Sequence, residues 1–270
     1  MLQSLFDLSG RIALVTGSSR GIGLALARGL SDAGATVVLN GRDREALEHA
    51  RATLLAADSD DPSTGSTSPG AGARRVAIAP FDVTQDGDVA AGVARVEAEV
   101  GPIQILVNNT GIQRRAPLVE LALQDWQALV DTNLSGTFFV SRHVAAQMIG
   151  RRRGKIITVC SVQSALARPG IAAYAATKGA LKMLTQGMCA DLGPLGIQAN
   201  GLAPGYIETD LTQPLVTDEE FTSWVQRRTP AGRWGTVHDL VGAAVFLAAP
   251  ASDFVNGQIL YVDGGMTAVV

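Results

Sequence analysis

The chain has 270 residues, 47% of them hydrophobic, 17% charged and 5% aromatic, with 30 Gly. That composition excludes a disordered chain, and the length is enough to bury a core without staples. Its 22 basic and 25 acidic residues leave a formal charge of −3, which offers nucleic acid no basic field.

The N-terminal run Met1 to Asp7 has no basic stretch ahead of a long apolar one, so no signal peptide is expected. Nowhere do 18 apolar residues run together, so no membrane span is expected either. A soluble, cytoplasmic protein is the expectation. Arg11 to Thr16 reads as a first strand and Gly21 to Ala33 as a helix. Thr36 to Leu39 is the next strand and Asp43 to Ala57 the next helix. Asp58 to Arg74 breaks the rhythm with Ser, Gly, Pro and Asp, and predicts a flexible surface loop rather than a domain linker. Further strands are predicted at Arg75 to Ala79, Ile103 to Val107, Lys155 to Cys160, Gly196 to Asn200 and Gln258 to Val262. Helices are predicted near 85–100, 123–150, 173–192, 211–226 and 236–248. Such alternation, with nearly unbroken apolar strands, predicts an α/β fold of one domain over 1–270. Its seven parallel strands would form a doubly wound sheet with helices on both faces. Cys160 and Cys189 lie in apolar stretches without metal-like spacing, so no disulfide and no metal site is expected.

Directly after the first strand, Thr16-Gly17-Ser18-Ser19-Arg20-Gly21-Ile22-Gly23 opens into a helix. Glycines there let the backbone turn tightly and approach a pyrophosphate, while the helix N-terminus offers free N–H donors. Gly17, Ser19, Arg20, Gly21, Ile22 and Gly23 are therefore candidate cofactor residues. Where an acid would accept from an NAD ribose, the second strand instead ends in Asn40-Gly41-Arg42-Asp43. Arg20 and Arg42 without an acid favour NADP over NAD. The plain alternative is that Arg42 and Asp43 only flank a helix cap.

Tyr174 follows Ser161 by thirteen residues, and Lys178 stands four residues further on, so both project from one helix face. A free phenol is a poor acid–base at neutral pH, and a nearby ammonium stabilises its anion. Ser161 can hold a substrate oxygen while Tyr174 exchanges its proton.

TGSSRGIG (16–23), FDV (81–83), NNTG (108–111), Asn133, Ser161, YAATK (174–178) and APG (203–205) together resemble the short-chain dehydrogenase/reductase family, over nearly the whole chain. The resemblance implies a Rossmann fold and hydride transfer between NAD(P) and a carbonyl or alcohol. By it, Tyr174 is the general acid–base, Lys178 binds the ribose and tunes Tyr174, Ser161 orients substrate, and Asn133 holds a water linking Lys178 to solvent. Asp82 and Val83 would border the adenine, Asn109 and Gly111 line the cofactor pocket, and Pro204, Gly205, Ile207 and Thr209 meet the nicotinamide end. Thr110 departs from the family's usual Ala, so its hydroxyl needs a partner or must turn away. A homotetramer with helices 123–150 and 173–192 at an interface is also implied.

Runs around Arg114-Arg115, Gln163 and Arg228 to Gly235 resemble members of the family acting on sugar acids. Arg115 would meet the carboxylate and Gln163 a hydroxyl. Arg114 could equally face solvent or pair with Glu120. Trp234 reads as packing and His143 as an ordinary helix residue. Two rivals stand beside this reading. One is a reductase of 3-oxoacyl groups on acyl-carrier protein, for which Arg151-Arg152-Arg153 would be a docking surface. The other is a non-catalytic NADP-binding redox sensor, which should have lost Tyr174 or Lys178.

Overall fold

A computed structural model of the protein describes residues 2–56 and 74–270. Ala57 and residues 58–73, which carry the end of the predicted second helix and nearly all of the predicted surface loop, lie outside the described residues. Strands β1 (Ile12–Val15), β2 (Thr36–Gly41), β3 (Val76–Pro80), β4 (Ile103–Asn108), β5 (Gly154–Val159), β6 (Ile197–Pro204) and β7 (Ile259–Val262) form one sheet among the described residues. Its order is β3-β2-β1-β4-β5-β6-β7 and every pairing is parallel. This is the doubly wound α/β sheet that the alternation predicts.

The sheet is apolar on both faces because both are covered. Ala13 and Val15 of β1 pack in one cluster with Leu26, Leu30, Leu202 and Leu247. Leu14, between them, packs in the other with Val140, Val144, Met148 and Met188. Helices α2 (Gly21–Asp32) and α10 (Val241–Ala248) lie on the first face; α4 (Asp86–Glu99), α6 (Gly136–Arg151) and α7 (Ala172–Leu192) lie on the second. Each fully buried Leu or Val contributes roughly 1.5–3 kcal/mol, so one β1 residue turned to water would cost a sizeable share of net stability.

Four elements differ from the expected spans. A short helix, α1 (Leu2–Phe6), precedes β1, and β6 runs past Asn200 to Pro204. Asn200 does not end the strand because its carboxamide is satisfied in the core, donating to Val255 O at 2.8 Å and accepting from Gln258 N at 3.0 Å. The helix expected at 211–226 is split into α8 (Gln213–Val216) and α9 (Glu219–Arg228). Asp218 divides them by capping α9, accepting from Phe221 N at 3.0 Å. The helix expected at 123–150 is α5 (Leu123–Leu129) running into α6 through a π-helical turn, Val130–Ser135. The remaining helix, α3 (Arg44–Ala56), follows β2 and is capped by Asp43, which accepts from Glu45 N and Ala46 N.

The strand order reverses between β1 and β4. In open α/β sheets the crevice beyond the strand C-termini at this switch point is where ligands bind. Thr16 and Asn109 stand one residue past those two strands.

Candidate active site

At the switch point the glycine turn and the β4 end are knitted together. Thr16 Oγ1 accepts from Asn109 N at 2.9 Å and Thr110 N at 3.1 Å, and Asn109 Nδ2 donates to Thr16 O at 3.0 Å and Gly17 O at 2.9 Å. Gly17 takes φ +61°, and a Cβ on Gly23 would lie 2.3 Å from Gly17 O, so α2 packs directly onto the turn. That is the close helix–strand approach expected of the third glycine. Arg20 is the extended residue before α2 and has no capping side chain, which leaves the first amides of the helix open toward the cleft. The Thr110 hydroxyl is buried without a partner, and would stand 3.0 Å from a Cβ on Gly17. A helix N-terminus, a glycine turn and an unpartnered buried hydroxyl fit a dinucleotide pyrophosphate.

Next to the turn, β2 ends with buried Asn40, whose Nδ2 donates to Ala79 O at 2.9 Å and Phe81 O at 3.2 Å. No acid occupies the strand end. Arg42 is largely exposed and its guanidinium lies 3.8 Å from the Asp82 carboxylate, which also accepts from Thr84 N and Thr84 Oγ1. Val83 is buried beside them. Asp43 is the α3 cap, and Arg42 takes no part in that cap.

Across the cleft, β5 ends at Val159 and buried Ser161 follows in extended backbone. Ser161 Oγ accepts from Gln163 N at 3.1 Å, which leaves its O–H to donate. Lys178 is only 5% exposed; its Nζ donates to Val159 O at 2.8 Å and lies 5.8 Å from the Tyr174 ring centroid. Tyr174 and Lys178 therefore share one face of α7, as their spacing predicts. The π-helical turn presents Asn133, fully buried. Its Oδ1 accepts from Ile112 N at 2.8 Å, and its Nδ2 donates to Ile112 O at 3.1 Å and Thr177 Oγ1 at 3.2 Å. Such turns cluster at functional sites because the extra residue re-aims a side chain. A Cβ on Gly111 would sit 3.4 Å from Asn133 Oδ1 and 3.9 Å from Lys178 Nζ, so these three residues converge.

The outer end of the cleft holds the other predicted residues. Arg114 pairs with Asp125 at 3.1 Å rather than Glu120. Partial burial, and then the charge of Arg168, hold Arg115 below the usual guanidinium range; Tyr206 and Tyr174 act on it in the opposite sense. Gln163 Nε2 lies 3.5 Å from Tyr206 Oη. Trp234 is buried against Tyr206 at 5.6 Å between centroids and donates to Thr222 Oγ1, so it is packing, as expected. His143 meets Asp86 at 2.8 Å between α6 and α4, away from this cleft. Pro204 ends β6 and Gly205 follows it; Ile207 is buried in the core; Thr209 bonds Thr212. Of the basic run, Arg151 is bound bidentately to Glu97 and Arg152 donates to Pro194 O. Sequence reasoning gave no role to Arg168, or to Tyr206 at the end of the run Leu202 to Tyr206; both come to the cleft from separate loops.

The family profile described as Enoyl-(Acyl carrier protein) reductase matches residues 17–267. Gluconate 5-dehydrogenase of Gluconobacter oxydans is 57% identical over 263 residues, 97% of each chain. The 5-keto-D-gluconate 5-reductase of Escherichia coli K12 is 46% identical over 269 residues, all of both chains. Among solved structures, a gluconate 5-dehydrogenase from Burkholderia cenocepacia J2315, in complex with NADP and tartrate, superposes with a TM-score of 0.90 at 55% identity, covering 100% of each chain.

Proposed function

The chain belongs to the short-chain dehydrogenase/reductase family, and we propose that within it this protein is an NADP-dependent oxidoreductase interconverting D-gluconate and 5-keto-D-gluconate. The observation that carries this reading is its likeness, over essentially whole chains, to gluconate 5-dehydrogenase and 5-keto-D-gluconate 5-reductase.

When bound, the cofactor supplies a hydride to the keto carbon, or takes one from the alcohol. In the reducing direction Ser161 donates a hydrogen bond to the carbonyl oxygen, and Tyr174 transfers its phenolic proton to that oxygen as charge develops there. The Lys178 ammonium stabilises the tyrosinate left behind, and its buried, backbone-anchored position keeps it within Coulomb reach of that ring. Asn133 fixes the Ile112 backbone beside Lys178, and is the residue from which a water chain re-protonating the site would start. The turn Gly17 to Gly23, with Ser19, Arg20, Ile22 and Arg42, would hold the phosphates. Asp82, Val83, Asn109 and Gly111 would flank the adenosine side, and Pro204, Gly205, Ile207 and Thr209 the nicotinamide side. Arg115 would bind the sugar acid's carboxylate and Gln163 one of its hydroxyls.

A 3-oxoacyl-acyl-carrier-protein reductase is the second reading, favoured by the carrier-protein chemistry in the matching family's description. Its docking run is weakened by the ties of Arg151 and Arg152. A 2-deoxy-D-gluconate 3-dehydrogenase would use the same seat for its acid. The non-catalytic sensor is disfavoured by the retained Tyr174 and Lys178. Initial rates of NADPH oxidation with 5-keto-D-gluconate, an acetoacetyl thioester and an NADH control separate these. Rapid turnover of the keto acid with NADPH is expected; turnover of the thioester alone moves the protein to the carrier-protein reductases.

A single domain, a cytoplasmic location and a homotetramer complete the proposal. Exposed Trp126, Phe138, Ile149 and Met183 on α5, α6 and α7 support the assembly, and light scattering should return roughly four times 28.0 kDa.

A further inference from the structure

At the cleft mouth Arg114 is paired with Asp125, whereas among the described residues no carboxylate lies within 4.0 Å of Arg115 or Arg168. After partial burial, the neighbouring charge of Arg168 is what holds Arg115 below the usual guanidinium range. Arg168 lies in the turn 165–170 that leads from Ser161 to α7. Its guanidinium stacks 5.2 Å from the Phe221 ring centroid, and Nε is buried without a hydrogen-bond partner. Gln163 Oε1 is buried and unpartnered in the same way. Arg168 and Gln163 both reach the Tyr206 hydroxyl, which burial pushes above the usual phenol range so that it stays a neutral donor. Tyr206 is in turn wedged edge-on against Phe221, Trp224 and Trp234, at 5.5–5.7 Å between ring centroids.

Holding two guanidinium groups in mutual Coulomb reach costs free energy that surrounding protein normally removes with a carboxylate. A buried N–H without a partner adds its own desolvation cost. Both costs are cancelled by one ligand group: an anion with two acceptor oxygens, set against a planar donor fork. The aromatic stacking fixes the plane of that fork before any ligand arrives, which lowers the ordering cost of binding.

We propose that Arg168 is a specificity-determining residue which, with Arg115, forms a two-cation seat for the substrate's carboxylate, aimed by Phe221 and Tyr206. The seat rests on the sugar-acid reading above and deepens it. Its chemistry selects an acid over a neutral ketose or polyol of the same length, and Gln163 Oε1 accepts from a neighbouring hydroxyl.

The test uses the full chain with NADP(H), comparing wild type, Arg168→Gln and Arg168→Lys. Rates are measured with 5-keto-D-gluconate, and calorimetric binding with D-gluconate and with D-glucitol, the neutral polyol. For Arg168→Gln the expected result is a KM for the keto acid raised about 10- to 100-fold with kcat within about threefold. D-gluconate binding should weaken in parallel, D-glucitol binding should not change, and Arg168→Lys should recover part of the loss. An unchanged KM in an enzyme that turns over the keto acid overturns the role of Arg168 alone. Equal weakening for acid and polyol, or loss of kcat with binding intact, also overturns it in favour of a structural role. A wild type that binds D-gluconate through Arg168 without turning over the keto acid keeps the seat and rejects the proposed reaction. A wild type that does neither rejects both.

Discussion

A buried lysine stands at each end of strand β5, Lys155 within the strand and Lys178 reaching its end from α7, and the two are treated differently. At its start Lys155, 4% exposed, places Nζ 2.8 Å from the Asp253 carboxylate and 3.2 Å from Ser252 Oγ. Arg11, Gln104 and Arg153 surround it in a cavity of about 180 Å³. At the strand's end Lys178, 5% exposed, donates to the Val159 carbonyl and has no carboxylate within 4.0 Å among the described residues. Both side chains are buried. The first is neutralised within the protein and acts as scaffold, whereas the second keeps its charge available to whatever enters the cleft. Arg115 and Arg168 follow the second pattern.

Five substitutions can break or sharpen that contrast. The largest effect is expected from Tyr174→Phe, which removes the proton but not the ring. kcat/KM should fall at least ~10³-fold, about 4 kcal/mol, with NADPH affinity held. Near-normal activity would overturn the acid assignment. Lys178→Met should lower kcat ~10²-fold and weaken NADPH binding, whereas Lys155→Met should leave both unchanged. Equal losses in the two would erase the distinction between the ends of β5.

Asp253→Asn should destabilise by about 2 kcal/mol in denaturant titration without touching kcat, since it leaves Lys155 buried and unbalanced. The pH dependence has a definite sign here. Burial, more than any other influence, lowers the Lys155 pKa in the folded protein, so between that value and the unfolded value near 10.4 the unfolded chain binds more protons. Stability from this group therefore rises with pH across that window, and Lys155→Met should flatten the rise. The smallest effect is expected from Arg42→Ala. Exposed and only loosely held by Asp82, Arg42 should contribute about tenfold to the preference for NADPH over NADH, read as the ratio of kcat/KM values.

The sheet and the inner half of the site were legible because each depends on contiguous residues. Val and Ile runs declare strands, three glycines after a strand declare the turn, and a four-residue spacing sets Tyr174 and Lys178 on one helical face. The outer half was not, because it is assembled across the sequence. Arg168 sits in a turn without periodicity, Tyr206 follows β6, and Phe221 belongs to α9; nothing local ties them together. Asn133 was found by motif, yet its π-helical setting was invisible, since residues 123–150 carry an ordinary helical pattern. Asp218 was equally hidden: a single cap divided what the pattern reads as one helix.

The π-helical turn has a consequence for how the chain can vary. One α-helical residue advances about 100°, so the extra residue in Val130–Ser135 offsets the faces of α5 and α6 by that angle. The turn is therefore a phase setter whose essential property is its length. Side-chain exchanges at Val130 or Leu134 alter packing locally, whereas deleting one residue there would yield a smoother helix with every later position rotated. Asn133 would then swing off Ile112, and α6 would turn its apolar stripe away from the sheet. Homologous chains should accordingly tolerate substitution in this segment and resist changes in its residue count.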